Sequence, residues 1–283
     1  MIKSMLLFVN NNHYTVDAFF QFIGNIFMKI AVSGKGGVGK TTFVASLAKV
    51  FSECGKKVIA IDADPVSNLA VTMGIKSVSG IVPISQMKDL IKERTGASDE
   101  YGKFFSLNPT VSDLPEKLSL EHEGIRLMVL GAIKRGGGGC ACPESAFLRA
   151  LLSHLIVHRD EVVIVDMEAG VEHLGRATVR SVNALIVIVE PGSKSIETAF
   201  QVKKLAEDIG LKSIYAVGNK VASEGHKALI ERELKGIPVL GYISFNDKIL
   251  ASDIERRAAF SENELLLKEV RVIKERLVEL ASK

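Results

Sequence analysis

Three cysteines in 283 residues are too few for a secreted disulfide framework. No apolar run is long enough to cross a bilayer as a helix. Charge of either sign is nearly cancelled, 36 basic against 33 acidic residues, leaving +3. No strong field therefore marks the chain for nucleic acid or an anionic surface. Internal repeats and linker-like stretches are also lacking. These absences point to a soluble protein of a reducing, cytoplasmic setting, with no nucleic-acid and no membrane partner. The 47% hydrophobic and 24% charged content, at this length, suits one large α/β domain.

Residues 1–27 fit poorly with the rest of the chain. They carry the polar cluster Asn10-Asn11-Asn12-His13 and only one glycine, Gly24. The short apolar run 5–9 has no small-residue cleavage site after it, which argues against a signal peptide. The segment reads as an extension ahead of a start at Met28, with a packed helix over 17–27 as the alternative. The domain proper is then 28–283.

From Lys29 onward, apolar runs alternate with helical patterns. Strands are predicted at 29–33, 57–62, 125–131, 162–166, 184–189, 213–218 and 238–243. Helices are predicted at 40–53, 84–94, 144–157, 174–181, 195–209, 225–234 and 264–281. Continuous runs such as Val162-Val163-Ile164-Val165 are the signature of strands covered on both faces. The expected fold is α/β, a mostly parallel sheet of about seven strands with helices on both faces. Segment 95–124 reads as an insertion that includes a small hairpin. The last helix has an apolar stripe, Leu266, Val270, Ile273, Leu277 and Leu280, and is expected to pack on the sheet rather than on a membrane.

The first strand runs into Gly34-Lys35-Gly36-Gly37-Val38-Gly39-Lys40-Thr41-Thr42, and a helix follows. This is G-x-x-x-x-G-K-[ST] in its strand–loop–helix context, a phosphate-binding loop. Its glycines let backbone N–H groups close on phosphate oxygens, and the helix N-terminus adds positive potential. Lys40 is the β/γ-phosphate lysine and Thr41 the Mg²⁺ hydroxyl. Asp166, ending a very apolar strand, has the Walker B pattern of a Mg²⁺ carboxylate. Asp62-Ala63-Asp64-Pro65 sits at the carboxyl end of the second strand, where open α/β sheets bind ligands.

The second lysine, Lys35, makes GKGGVGKTT resemble the deviant Walker A loop of the MinD/ParA/nitrogenase-iron-protein class of P-loop ATPases. That resemblance implies a homodimer in which Lys35 reaches the partner's nucleotide, in the manner of an arginine finger. It also implies that Asp64 orients the attacking water and that Asp62 supports the Mg²⁺ shell. Asp166-Met167-Glu168-Ala169-Gly170 resembles switch II, with the Gly170 N–H left to sense the γ-phosphate. Asn219 matches the family's adenine-reading asparagine. Ala222 stands where a GTPase would need aspartate, which favours ATP.

Cys140-Ala141-Cys142 follows the run Gly136–Gly139, whereas Cys54, in the last turn of the first helix, reads as a buried structural thiol. By spacing alone the C-x-C pair is half of a thiolate metal site for Ni²⁺ or Zn²⁺, a redox pair, or two ordinary loop thiols. A two-fold dimer would supply four thiolates. The segments 136–144, 166–176, 189–192 and 195–199, with 113–117, are similar to the carbon monoxide dehydrogenase maturation ATPases (the CooC-type family). This implies an ATP- and Mg²⁺-dependent hydrolase that binds nickel through Cys140 and Cys142 and serves a carbon monoxide dehydrogenase client. Two related readings are a ParA/MinD-like positioning switch, which needs no cysteine pair, and a nitrogenase-iron-protein-like reductase. The reductase places a cysteine in switch II, where this chain has Val171, Glu172 and His173.

Overall fold

The computed structural model describes residues 27–76, 80–97, 104–131, 142–171, 174 and 176–281. Residues 1–26 of the extension 1–27, the glycine run 136–139, Cys140, Glu172 and His173 lie outside the described residues.

Strands β1 (Lys29–Gly34), β2 (Val58–Asp62), β3 (Leu120–His122), β4 (Ile125–Val129), β5 (Val162–Asp166), β6 (Ala184–Val189), β7 (Ile214–Val221) and β8 (Val239–Ser244) form one sheet. Its order is β3-β4-β2-β5-β1-β6-β7-β8. Every neighbouring pair is parallel except β3–β4. The seven predicted strands are all present and β3 is an eighth. It was hard to see because Leu120-Glu121-His122 is short, polar and half exposed. It forms the hairpin expected in the insertion. Glu123 (φ 49°) and Gly124 (φ 74°) both take left-handed backbone, the requirement of a two-residue turn matched to strand twist.

The helices are α1 (Lys40–Glu53), α2 (Leu69–Thr72), α3 (Lys88–Thr95), α4 (Leu114–Leu118), α5 (Pro143–Val157), α6 (Arg176–Val179), α7 (Ser193–Asp208), α8 (Glu224–Glu233), α9 (Asp247–Ile254) and α10 (Glu264–Ala281). Alternate residues of each strand point to opposite faces. Ile59, Ile61, Val163, Val165, Leu185 and Val187 pack with α5 and α7. Ile30, Val32, Ile164, Ile186 and Ile188 pack with α1 and α10. Full burial of such side chains contributes about 1.5–3 kcal/mol each, and that is why these strands show no polar alternation. Helix α10 buries Leu266, Leu267, Val270, Ile273 and Leu277 in the core, as expected of a helix packed on the sheet. Helix α9 was not expected; Asn246 starts it by accepting the Lys248 N–H at 2.9 Å. Cys54 corrects another expectation: it is exposed, at the C-cap of α1, with Lys274 Nζ 3.3 Å away. Val50 and Phe51 are the last residues of α1 in the core, and Cys54, with Glu53, lies past them on the exposed side.

At the opposite end of the strands from the glycine loop, Glu161 is buried between Arg126 and Arg159. Lys29 Nζ donates to the carbonyls of Arg159 and Glu161. This network closes the amino ends of β1, β4 and β5.

Candidate nucleotide site

In the sheet order, β1 lies between β5 and β6, and the chain fills the sheet on either side of it. A crevice at the carboxyl ends of the strands is expected at such a reversal. The loop after β1 lies there with the ends of β2, β7 and β8, bordering a cleft of about 720 Å³. The cleft extends from Gly36–Thr42 past Asp64 and Asn219 to the segment Ser244–Asp247.

Three of the loop's glycines, Gly34, Gly37 and Gly39, take positive φ, and at two of them a Cβ would also clash. Gly34 has φ 145°, and a Cβ there would lie 2.5 Å from the Ile188 carbonyl. Gly39 has φ 94°, and its Cβ would lie 2.3 Å from Asn219 Nδ2. Helix α1 starts directly from Gly39, so its N-terminus opens into the cleft. Lys40 is largely buried, with Nζ 3.4 Å from the Lys35 carbonyl, curled under the loop.

Asp166 and Thr41 come together: the Thr41 hydroxyl donates to the Asp166 carboxylate. Asp166 Oδ1 is buried without a hydrogen-bond partner. Burial pushes its carboxyl up to about 7, against the Thr41 hydrogen bond that lowers it. A buried carboxylate with an orphaned oxygen beside a hydroxyl fits a Mg²⁺ site in donor type and charge. Asp62 is fully buried on the neighbouring strand, raised to about 6 by burial. Its oxygens accept the N–H groups of Asp64 (3.2 Å) and Leu69 (3.0 Å). Asp62 thus ties the turn that follows β2, residues 63–69, back to the end of its own strand. Asp64 Oδ1 accepts the Val66 N–H at 2.9 Å, an Asx turn at the cleft wall.

Gly170 differs from expectation. Its N–H is not free but donates to Ser33 Oγ at 3.0 Å. Ser33 Oγ also lies 2.8 Å from the Glu168 carbonyl. Asn219 is likewise engaged: Nδ2 donates to the Val38 carbonyl (2.6 Å) and Oδ1 accepts the Lys220 N–H (2.9 Å). The second N–H and second lone pair of its amide remain for a base edge.

Sequence reasoning missed three residues here: Ser33, Glu190 and Lys220. Glu190, following β6, lies 3.6 Å from Lys35 Nζ and 3.2 Å from Lys220 Nζ. Lys220 Nζ also donates to the Gly37 carbonyl at 2.7 Å. Only the strand order places β6 and β7 beside the loop.

Cys142 stands apart, as the N-cap of α5, its sulfur accepting from the Ser145 N–H (3.4 Å), with Pro143 at the first helical position. Among the described residues no three His, Cys, Asp or Glu side chains gather as a metal site. Cys140 is outside them.

A phosphate loop and a buried Mg²⁺-type carboxylate at the carboxyl ends of a mostly parallel sheet define a P-loop nucleoside triphosphatase. The CobQ/CobB/MinD/ParA nucleotide-binding domain matches residues 29–258, and the chain belongs to that family of ATP-hydrolysing proteins. It is 47% identical over 228 residues to the carbon monoxide dehydrogenase accessory protein CooC of Rhodospirillum rubrum, covering 80% of this chain and 87% of that one. An uncharacterized ATP-binding protein of Methanocaldococcus jannaschii is 46% identical over 80% of this chain and 88% of its own length. Among solved structures, Aquifex aeolicus MinD superposes with TM-score 0.61 at 20% identity, over 90% of this chain and 97% of that one. A putative plasmid partition protein of Borrelia burgdorferi bound to AMPPNP gives 0.65 at 17%, over 89% and 99%. These two likenesses establish the fold.

Proposed function

We propose that this chain is a homodimeric ATPase that carries nickel on Cys140 and Cys142 and assists its insertion into a carbon monoxide dehydrogenase. The observation that carries the reading is the 47% identity to the Rhodospirillum rubrum accessory protein across 87% of its length. The placement of Cys142 supports it: as the N-cap of α5 its sulfur is held at the start of a rigid helix, partly exposed rather than packed in the core.

The loop amides and Lys40 hold the phosphates, and Lys35 acts on the partner's nucleotide. Thr41 and Asp166 hold Mg²⁺, with Asp62 behind them. Mg²⁺, when bound, offsets charge on the β- and γ-phosphate oxygens. Asp64 orients the attacking water, for which its second carboxylate oxygen is used. Asn219 reads adenine with its remaining donor and acceptor. The Gly170 N–H exchanges Ser33 for the γ-phosphate, so the segment after β5 moves with nucleotide state. In the dimer two C-x-C pairs meet as four thiolates, suited to Ni²⁺ and also to Zn²⁺. Hydrolysis opens the dimer and releases the metal as cargo.

The test is reconstitution of a nickel-free carbon monoxide dehydrogenase with limiting Ni²⁺ and ATP. Activation should depend on this protein and be lost with Cys140→Ala/Cys142→Ala. Equal activation by the double variant would defeat the proposal.

A further inference from the structure

Lys35 has to be free of its own chain before it can reach a partner's nucleotide, yet here it is held. Its Nζ lies 3.6 Å from Glu190 Oε1, while Lys220 Nζ lies 3.2 Å from Glu190 Oε2. One carboxylate therefore serves two lysines, one oxygen each. The two lysines are not equivalent. Lys220 also donates to the Gly37 carbonyl inside the phosphate loop, at 2.7 Å. Its backbone sits at φ 56°, left-handed for a residue with a side chain. Such a conformation is strained and persists where surroundings enforce it. Here it accompanies the irregular pairing of β7 with β8 between Gly218 and Val221. Asn219 ties that turn to the loop, its Oδ1 accepting the Lys220 N–H while its Nδ2 donates to the Val38 carbonyl. Glu190 is itself fixed by the bond from its N–H to Ser195 Oγ, 3.1 Å, at the start of α7. Lys35 alone has no second anchor at its Nζ among the described contacts, and its side chain is 41% exposed.

We propose that Glu190 is a positioning residue that parks Lys35 in cis, and that Lys220 is the cation that keeps Glu190 matched when Lys35 swings to the partner. The inference rests on the proposed action of Lys35 across a dimer. Its chemistry is an exchange of one carboxylate for phosphate oxygens by a single ammonium group. Because Lys220 remains, departure gives up only one partly exposed ion pair, not the buried counter-charge of an isolated carboxylate. Parking discourages dimer formation until a triphosphate offers Lys35 a stronger partner. Exposed pairs of this kind shift an equilibrium about two- to five-fold. Two such releases per dimer multiply, giving about four- to twenty-five-fold in the dimer dissociation constant.

The experiment uses the full chain as wild type, Glu190→Gln and Glu190→Asp, read in three ways. First, acylation of Lys35 by an amine-reactive ester is followed by mass spectrometry in the nucleotide-free monomer. Second, dimerisation with a non-hydrolysable ATP analogue is measured by analytical ultracentrifugation. Third, ADP affinity is measured by calorimetry. The expected result is faster Lys35 labelling and about four- to twenty-five-fold tighter dimerisation in Glu190→Gln. ADP affinity should change less than about two-fold, and Glu190→Asp should restore part of the wild-type behaviour. Unchanged labelling overturns the parking contact. Faster labelling with unchanged dimerisation overturns its role in switching, as does an ADP affinity that shifts as much as dimerisation. If wild type forms no dimer with the analogue, the dimeric reading of the function fails, while the labelling arm still tests the contact.

Discussion

Asp62 and Asp166 stand directly opposite each other in the register of β2 and β5. Both are buried at the carboxyl end of the sheet, and burial raises both carboxyls, to about 6 and about 7. In the unfolded chain they titrate near their ordinary value of about 4. The folded, metal-free protein thus holds protons that the unfolded chain releases. The stability this contributes is fully present below about pH 4 and is lost as pH rises through about 6 to 7.

The first prediction concerns that loss. In EDTA and without nucleotide, the contribution of this pair falls between pH 5 and pH 8. Asp166→Asn, which removes the charge, should raise the melting temperature at pH 8 by on the order of a few °C while abolishing ATP hydrolysis. Thermal denaturation at both pH values checks this. A variant less stable than wild type at pH 8 would show that the carboxylate is satisfied in the metal-free fold.

Gly39→Ala should damage the site through backbone and contact together. The position has φ 94°, and the new Cβ would meet Asn219 Nδ2 at 2.3 Å. The expected cost is about 1–3 kcal/mol of stability with loss of measurable ATP binding. Gly36→Ala has nothing within 4 Å of its Cβ and no left-handed backbone, so its melting temperature should stay near wild type. Comparing the two melting curves isolates the conformational requirement.

Asn219→Ala removes the bond to the Val38 carbonyl and the anchor of the Lys220 N–H. Leaving a buried carbonyl without its donor costs about 1–3 kcal/mol. Since the loss falls on the phosphate loop, KM for ATP should rise about ten-fold or more. Steady-state kinetics with ATP and GTP compares this bracing role with base reading. A matched loss for both nucleotides would assign Asn219 to the loop alone.

Glu161→Ala serves as a contrast at the far end of the strands. It leaves Arg126 and Arg159 facing a buried gap. Partial exposure of both arginines keeps the cost below that of a fully buried pair, about 2 kcal/mol. ATP hydrolysis at a temperature where the variant is folded should equal wild type.

Most of the fold was legible because strands buried on both faces leave continuous Val/Ile runs, as in β5 and β6. The phosphate loop was legible because its chemistry is local: glycines, lysine and threonine at fixed spacing. Strand β3 and helix α9 were not, since neither has the length or periodicity to stand out. Cys54 misled because the apolar pattern of α1 ends at Phe51 and says nothing of which way the C-cap residue after it faces. The pairing of Glu190 with Lys35 and Lys220 was invisible for a different reason. It joins residues from three places in the sequence and exists only because β6 and β7 lie on one side of β1. Gly170 and Asn219 stood out by motif, yet their partners, Ser33 and Val38, are seen only in the folded chain.

The central claim, that two chains share a metal through their C-x-C pairs, is tested most directly by titrating Ni²⁺ into wild type and Cys140→Ala/Cys142→Ala. Thiolate-to-metal charge-transfer absorption and sedimentation are recorded together, with and without a non-hydrolysable ATP analogue. The account predicts saturation at one Ni²⁺ per dimer in wild type, with no charge-transfer band in the double variant. Stoichiometric binding that survives loss of both cysteines would contradict it.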